Sequence, residues 1–227
     1  MPRAFDFTAP AALTDATAPA PFTVPGDLLP TLRVAAPLWR PVPVHAPCVL
    51  WFTGLSGAGK STIATRLEAV LDELGCRTAR LDGDDVREGL CSGLGFSDAD
   101  RTENIRRVAH VAALMARSQL LVLVTLISPF QAARDHARSL LPADQFLEVF
   151  VDAPLPVVQR RDTKGLYARA GRGEAIQLTG VQSPYERPTR PDLHLRSDQC
   201  TPDDACRRVV DTLVARGILS ARALQLG

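Results

Sequence analysis

The sequence predicts an α/β fold, a mainly parallel sheet with helices on both faces. Three observations predict it. Beyond Cys48, short apolar runs alternate with segments of helical period. Two of those runs, Val49–Thr53 and Leu120–Ile127, read as buried strands. The first of them leads through a glycine-rich turn into a helix, so that strand, loop and helix follow without a break.

The elements follow in order. Val49–Thr53 is the first strand, and Ser61–Leu74 the first helix, with Ile63, Leu67, Val70, Leu71 and Leu74 on one apolar face. Arg77–Leu81 reads as a second strand, ending in Asp82-Gly83-Asp84-Asp85. Thr102–Arg117 reads as a helix with Ile105, Val108, Ala109, Ala112 and Met115 facing inward. Leu120–Ile127 is a strand that stops at Ser128-Pro129, and Gln131–Leu140 a helix. Phe146–Val151 is a strand and Leu155–Arg161 a helix. Residues 162–188 are basic, carry several glycines and show no strong period; they read either as a lid that closes over a ligand or as a flexible surface loop. Leu193–Leu195 supplies a last strand. Thr201-Pro202-Asp203-Asp204 then places a cap and a first-turn proline at the start of a helix to about Arg216. In such a sheet, ligands sit at the carboxyl ends of the strands, where the glycine turn, Asp82–Asp85 and Ser128 all arrive.

Composition narrows the function. The 227 residues allow one domain of moderate size plus a tail, and 46% hydrophobic residues supply a core. Ten of the 18 prolines fall in residues 1–47, which show no sustained period and read as an extended arm or linker. A net charge of +1 gives no bulk field for nucleic acid or an acidic membrane. The longest apolar run is too short to span a bilayer, and no basic region followed by an apolar stretch opens the chain, so a cytoplasmic protein is expected. Five cysteines without a C-x-x-C pair read as reduced, inert thiols.

The chemistry centres on Gly54-Leu55-Ser56-Gly57-Ala58-Gly59-Lys60-Ser61-Thr62, which fits G-x-x-x-x-G-K-[ST]. Glycines let consecutive backbone N–H groups turn toward an anion, and the following helix N-terminus adds partial positive charge. Lys60 reaches the β- and γ-phosphates and Ser61 is placed to ligate Mg²⁺. The expected fold is therefore a P-loop NTPase-type three-layer sandwich with a mobile lid. Of 26 basic residues only Lys60 and Lys164 are lysines, which singles out both as positions where a compact charge matters. Asp82 and Asp84 follow a strand into the same crevice, where a carboxylate holds a metal or accepts a proton. Arg87, Arg101 and Asn104 are candidates for an anionic substrate, whereas Arg107 reads as a surface salt-bridge partner. Phe96 reads either as a nucleobase platform or as a hydrophobic plug. Ser128 reads either as a hydrogen-bonding group or as a nucleophile, with no adjacent histidine to activate it.

These motifs, together with Leu81–Arg87, Gly95–Arg101, Glu103–Val108, Ile127–Phe130, Phe150–Leu155, Lys164–Tyr167, Thr179-Gly180 and Pro184–Glu186, resemble the adenylylsulfate (APS) kinase family from about residue 48 to the C-terminus. The resemblance implies transfer of the ATP γ-phosphoryl to the 3′-hydroxyl of adenosine 5′-phosphosulfate with Mg²⁺, in a homodimer. It implies that Gly54–Thr62 hold ATP and that Ser61 and Asp82 serve the metal. Lys60, Asp84 and Ser128 would carry the chemistry. Asp84, Asp85, Val86, Arg87, Phe96, Arg101, Asn104, Ile127, Ser128, Lys164, Gln177 and Leu178 would contact the phosphosulfate nucleotide. Asp85 and Leu178 stand where the family commonly has asparagine and phenylalanine.

Overall fold

Five parallel strands, in the order β2-β3-β1-β4-β5, organise the chain. The computed structural model describes residues 45–174 and 177–220. The central strand β1 (Cys48–Thr53) lies between β3 (Leu121–Thr125) and β4 (Phe146–Asp152), with Leu50 opposite both Leu123 and Leu147. β2 (Thr78–Asp82) and β5 (Leu193–Arg196) form the edges and are correspondingly less buried. Side chains on a strand point alternately to opposite faces. Leu50 and Phe52 therefore join α1 (Lys60–Glu73) and the C-terminal helix Pro202–Ala215 in one core, whose members include Leu67, Leu71, Val209 and Leu213. Val49 and Trp51 join the other core, beneath α3 (Asp98–Arg117) and α4 (Gln131–Ser139), with Val108, Ala112 and Val124. All six β1 residues are buried because both faces are covered.

The expected three-layer α/β sandwich is the observed one, with three differences. Asp82-Gly83-Asp84-Asp85, which the sequence places at a strand end, opens a helix: Asp82 ends β2 and its carboxylate accepts from Asp84 N at 3.1 Å, capping a short helix, α2 (Gly83–Glu88). The helix expected from Thr102 starts at Asp98, because Ser97 accepts from Asp100 N at 3.1 Å and begins the turn four residues earlier. The segment 162–188 contains a one-turn helix, α6 (Leu166–Gly171), which follows α5 (Leu155–Arg161). Its N-terminal amides, Tyr167 N and Ala168 N, donate to the Asp162 carboxylate at 3.1 and 2.8 Å. The last helix, α7 (Pro202–Ala215), carries the expected cap at Thr201, closed as a reciprocal pair with Asp204.

Most of the proline-rich segment lies outside the described residues. Ala46 N donates to Ile218 O at 2.9 Å and His45 pairs with Leu219, so the residues leading into β1 lie beside those that follow the last helix. All five cysteines are free, and burial pushes the Cys48 and Cys76 thiols up to about 12 and about 11, which keeps both protonated and unreactive. Among the described residues no helix is long and apolar enough to cross a membrane.

Candidate active site

The glycine turn joins β1 to α1 at the carboxyl edge of the sheet. Gly54, Gly57 and Gly59 have φ of 147°, 75° and 100°, a region that glycine alone enters without strain. Gly54 also approaches β4 so closely that a Cβ would lie 2.2 Å from the Val151 carbonyl oxygen. Gly54→Ala is therefore expected to move β1 and β4 apart and to lower the yield of folded protein sharply. Thermal melts and soluble expression check this, with Gly59→Ala, which meets no atom within 4 Å, as the milder comparison.

Lys60 turns back under the loop and donates to Gly54 O at 2.9 Å and Leu55 O at 2.8 Å. It is 8% exposed. Burial pushes its ammonium down to about 8, Lys164 pushes in the same direction, and Asp82 and Asp84 oppose them. The Asp82 carboxylate accepts from Ser61 Oγ at 2.7 Å and from Thr125 Oγ1 at 2.6 Å. Burial pushes the Asp82 carboxyl up. The bonds from Ser61, Thr125 and Asp84 N, with Lys164 nearby, outweigh that and hold it below the usual carboxylate range.

A cavity of about 350 Å³ opens in front of this loop. Lys60, Lys164, Arg87 and Arg101 line it against two carboxylates, Asp82 and Asp84, so its wall favours a polyanion. Asn104 is 4% exposed and lines the same wall, and its Nδ2 has no partner within the described residues. A buried donor without an acceptor is costly, and an acceptor supplied by a ligand removes that cost. Arg101 is buried; it donates to Phe96 O at 2.9 Å and to the Gln177 carbonyl. Phe96 is 57% exposed, which removes the plug reading. The Arg87 guanidinium sits 4.3 Å and that of Arg101 5.7 Å from its ring centroid, so the ring stands at the cavity as a braced flat surface. Lys164 forms an ion pair with Asp84 across the opening. Ile127 and Ser128 complete the far wall.

A second cavity of about 310 Å³ lies on the other side of the loop. It shares Gly57, Gly59, Thr62 and Thr163 with the first and adds Ala58, Arg161 and Cys200. Arg161 bridges the loop to the chain after β5, donating to Ser197 O at 2.6 Å.

Four of the residues that the resemblance places on the nucleotide do not line the first cavity. Asp84 and Arg87 are three apart on α2 and share the face toward the cavity. Asp85 falls on an exposed side, and Val86 is buried with the second core. Leu178 is buried in the first core rather than on the cavity wall, because it opens a tight turn in which Val181 N and Gln182 N return to its carbonyl at 3.1 and 3.0 Å. Gln177 is exposed and reaches the site through its backbone carbonyl alone among the described contacts. Arg106 and Arg107 both pair with Glu103, at 2.7 and 2.8 Å, outside the cavity. The sequence reading missed Thr125, which fixes Asp82; Arg161; and Tyr167, whose hydroxyl donates to Ser56 O at 3.0 Å. Only tertiary contact reveals them.

The chain is similar to proteins of one family. The family model described as adenylylsulphate kinase matches residues 46–196. The adenylyl-sulfate kinase of Marinobacter nauticus (strain ATCC 700491 / DSM 11845 / VT8) is 54% identical over 169 residues, covering 74% of this chain and 83% of the relative. That of Aeromonas salmonicida (strain A449) is 58% identical over 149 residues, 66% of this chain and 76% of the relative. The structure of the Mycobacterium tuberculosis APS kinase CysC in complex with AMPPNP and APS is 48% identical, covers 75% of this chain and 99% of its own, and superposes with a TM-score of 0.71. A strand, glycine turn and helix in a P-loop NTPase-type sheet, matched at these identities, fix the family: the chain belongs to the adenylylsulphate kinases.

Proposed function

We propose that this chain is an ATP-dependent adenylyl-sulfate kinase that transfers the ATP γ-phosphoryl to the 3′-hydroxyl of adenosine 5′-phosphosulfate, releasing ADP and the 3′-phosphorylated product (PAPS). The observation that carries the reading is the pair of cavities meeting at one phosphate loop. A reaction between two nucleotides needs a base pocket on each side of the transferred phosphoryl. ATP occupies the Arg161 side with its triphosphate along Ser56–Thr62. The acceptor occupies the side of Arg87, Arg101 and Asn104, with its adenine on Phe96.

Transfer of this kind is mostly positioning and charge neutralisation. The acceptor 3′-oxygen bonds to the γ-phosphorus, the bond from that phosphorus to the β–γ bridging oxygen breaks, and Asp84 takes the hydroxyl proton. Lys60 stays on the β- and γ-oxygens as charge moves to the leaving ADP. Lys164 and α6 close the opening against water. The residues present fit Mg²⁺. Ser61 and Asp82 offer hard oxygen atoms 2.7 Å apart, and this ion takes one or two protein ligands beside phosphates and water rather than an all-protein cage. Among the described residues no group of three or more His, Cys, Asp or Glu side chains forms such a cage. When bound, Mg²⁺ neutralises charge on the β- and γ-phosphates. A homodimer in the cytoplasm, a kinase domain over residues 48–227 and a lid over 162–188 belong to the same proposal. Asp85 and Leu178, two departures from the family pattern, do not line the first cavity.

The test is ADP release by the purified chain with Mg²⁺-ATP, alone and with APS, AMP or adenosine. APS-dependent turnover is expected. Turnover with AMP or adenosine but not APS would overturn the acceptor assignment, and ATP binding without turnover on any acceptor would overturn the kinase assignment.

A further inference from the structure

Ser128 is held from behind by groups that the reaction scheme leaves unused. The chain leaves β3 through this residue with φ of 47°, a left-handed conformation uncommon for serine, and its side chain is buried. Trp51 Nε1 donates to Ser128 Oγ at 2.9 Å. Arg134 Nη1 donates to the Ser128 carbonyl at 2.6 Å, and Thr53 Oγ1 approaches the same carbonyl at 3.4 Å. Trp51 is wholly buried on β1 and stacks on Phe146 at 6.0 Å between centroids. Arg134 is 1% exposed. It also donates to Glu148 Oε1 at 2.7 Å, Gln131 Oε1 at 2.7 Å and Glu186 O at 2.8 Å.

The direction of the Trp51 bond decides what Ser128 can do. An indole N–H only donates, so the serine oxygen is the acceptor and one of its lone pairs is taken. The hydroxyl proton must then point elsewhere. Among the described residues no acceptor lies within hydrogen-bond distance of it, and Ser128 lines the first cavity. No histidine or carboxylate bonds the hydroxyl to draw its proton away, as a serine nucleophile requires. A buried guanidinium and a left-handed serine are each unfavourable by themselves. Arg134 meets both demands at once: its fork satisfies Glu148 and fixes the Ser128 carbonyl. The Glu186 bond ties that position to the end of the segment 162–188.

We propose that Trp51 and Arg134 are positioning residues for phosphoryl transfer, which act through Ser128 by presenting its hydroxyl as a fixed hydrogen-bond donor to an anionic oxygen in the cavity. The inference rests on the kinase reading above. It assigns Ser128 no covalent step: the hydroxyl proton stays on Oγ and no phosphoserine forms.

The test is steady-state kinetics of Trp51→Phe, Ser128→Ala, the double variant and Arg134→Lys. Trp51→Phe keeps an aromatic ring and removes the N–H. It and Ser128→Ala are each expected to lower the APS-dependent kcat about tenfold, the size of one hydrogen bond, with KM for ATP unchanged. The double variant falls no further than either single one, because both changes remove the same interaction. Arg134→Lys keeps the charge beside Glu148 but loses the fork, and lowers kcat in the same sense. Phe146→Leu opens the same core beside Trp51 and leaves the N–H in place; it is expected to lower the melting temperature and keep kcat. Wild-type kcat in Trp51→Phe, losses that multiply in the double variant, or a burst of phosphoserine at Ser128 from γ-labelled ATP would each overturn the proposal while the enzyme assignment stands. A wild-type chain inert toward every acceptor would overturn both.

Discussion

Lys60→Met is expected to cut phosphoryl transfer by about 10³-fold while making the protein more stable than the wild type at neutral pH. The two effects have one cause. The Lys60 ammonium is enclosed with two carbonyl oxygens, and burial pushes it from 10.5 down to about 8, helped by Lys164. A displacement of that size corresponds to roughly 3 kcal/mol that the folded chain bears to hold a cation where phosphates will arrive. Methionine has similar length and no charge, so after the loss of two hydrogen bonds a net gain of about 1–3 kcal/mol is expected. The sign with pH follows from proton counting. The folded pKa lies below the unfolded one, so between about 8 and 10.5 the unfolded chain binds more protons and wild-type stability rises with pH. Below about 8 the penalty is complete. The advantage of Lys60→Met is therefore constant up to about pH 8 and shrinks above it, which urea melts at neutral pH and at about pH 10 check. A variant less stable than the wild type at neutral pH would show that the two carbonyl bonds outweigh burial. ATP binding reads the same cation from the other side. Phosphates favour the charged form, so titrations above about pH 8 in buffers of different ionisation enthalpy are expected to show proton uptake in the wild type and none in Lys60→Met.

What was legible in the sequence was what chemistry fixes locally. The phosphate loop demands glycine where φ is positive and lysine where a compact charge meets phosphate, so Gly54, Gly57, Gly59 and Lys60 announce themselves. The scarcity of lysine singles out Lys164, which lines the same cavity. What was not legible depends on distance along the chain or on elements too short to show a period. α2 has six residues, fewer than two turns, so its helical spacing could not speak; that spacing turns Asp84 and Arg87 to the cavity and Asp85 and Val86 away from it. The family pattern implies a ligand contact at Leu178, and its burial in the first core follows from a turn that no local signal announces. Trp51 read correctly as a buried strand residue, and nothing local indicates its bond to a serine 77 positions later. Arg134 carries a charge usually found at the surface, and its burial becomes intelligible through Glu148 on β4 and the carbonyls of Ser128 and Glu186, none of which a local signal announces.

Asp84→Asn is expected to lower APS-dependent kcat by about 10²–10⁴-fold with little change in KM for ATP, the range for removal of a positioned general base. The amide keeps the shape and the place in the first turn of α2 but cannot take a proton. Its ion pair with Lys164 offers a competing account, in which Asp84 serves only to hold the lid residue over the cavity. That pair is exposed on both sides, with side chains 65% and 50% accessible, and a solvated ion pair contributes little to lid closure. The two accounts separate in a double-variant cycle. If Asp84 acts only through the pair, Lys164→Ala is as damaging as Asp84→Asn, and the combination is no worse than either. If Asp84 takes the 3′-hydroxyl proton, Lys164→Ala mainly raises KM for APS by weakening contact with an anionic substrate, and its loss multiplies with that of Asp84→Asn. The second pattern is expected. Asp84→Glu, which restores the carboxylate one methylene out of place, is expected to recover part of kcat, as a base does and a lid anchor of the wrong length does not.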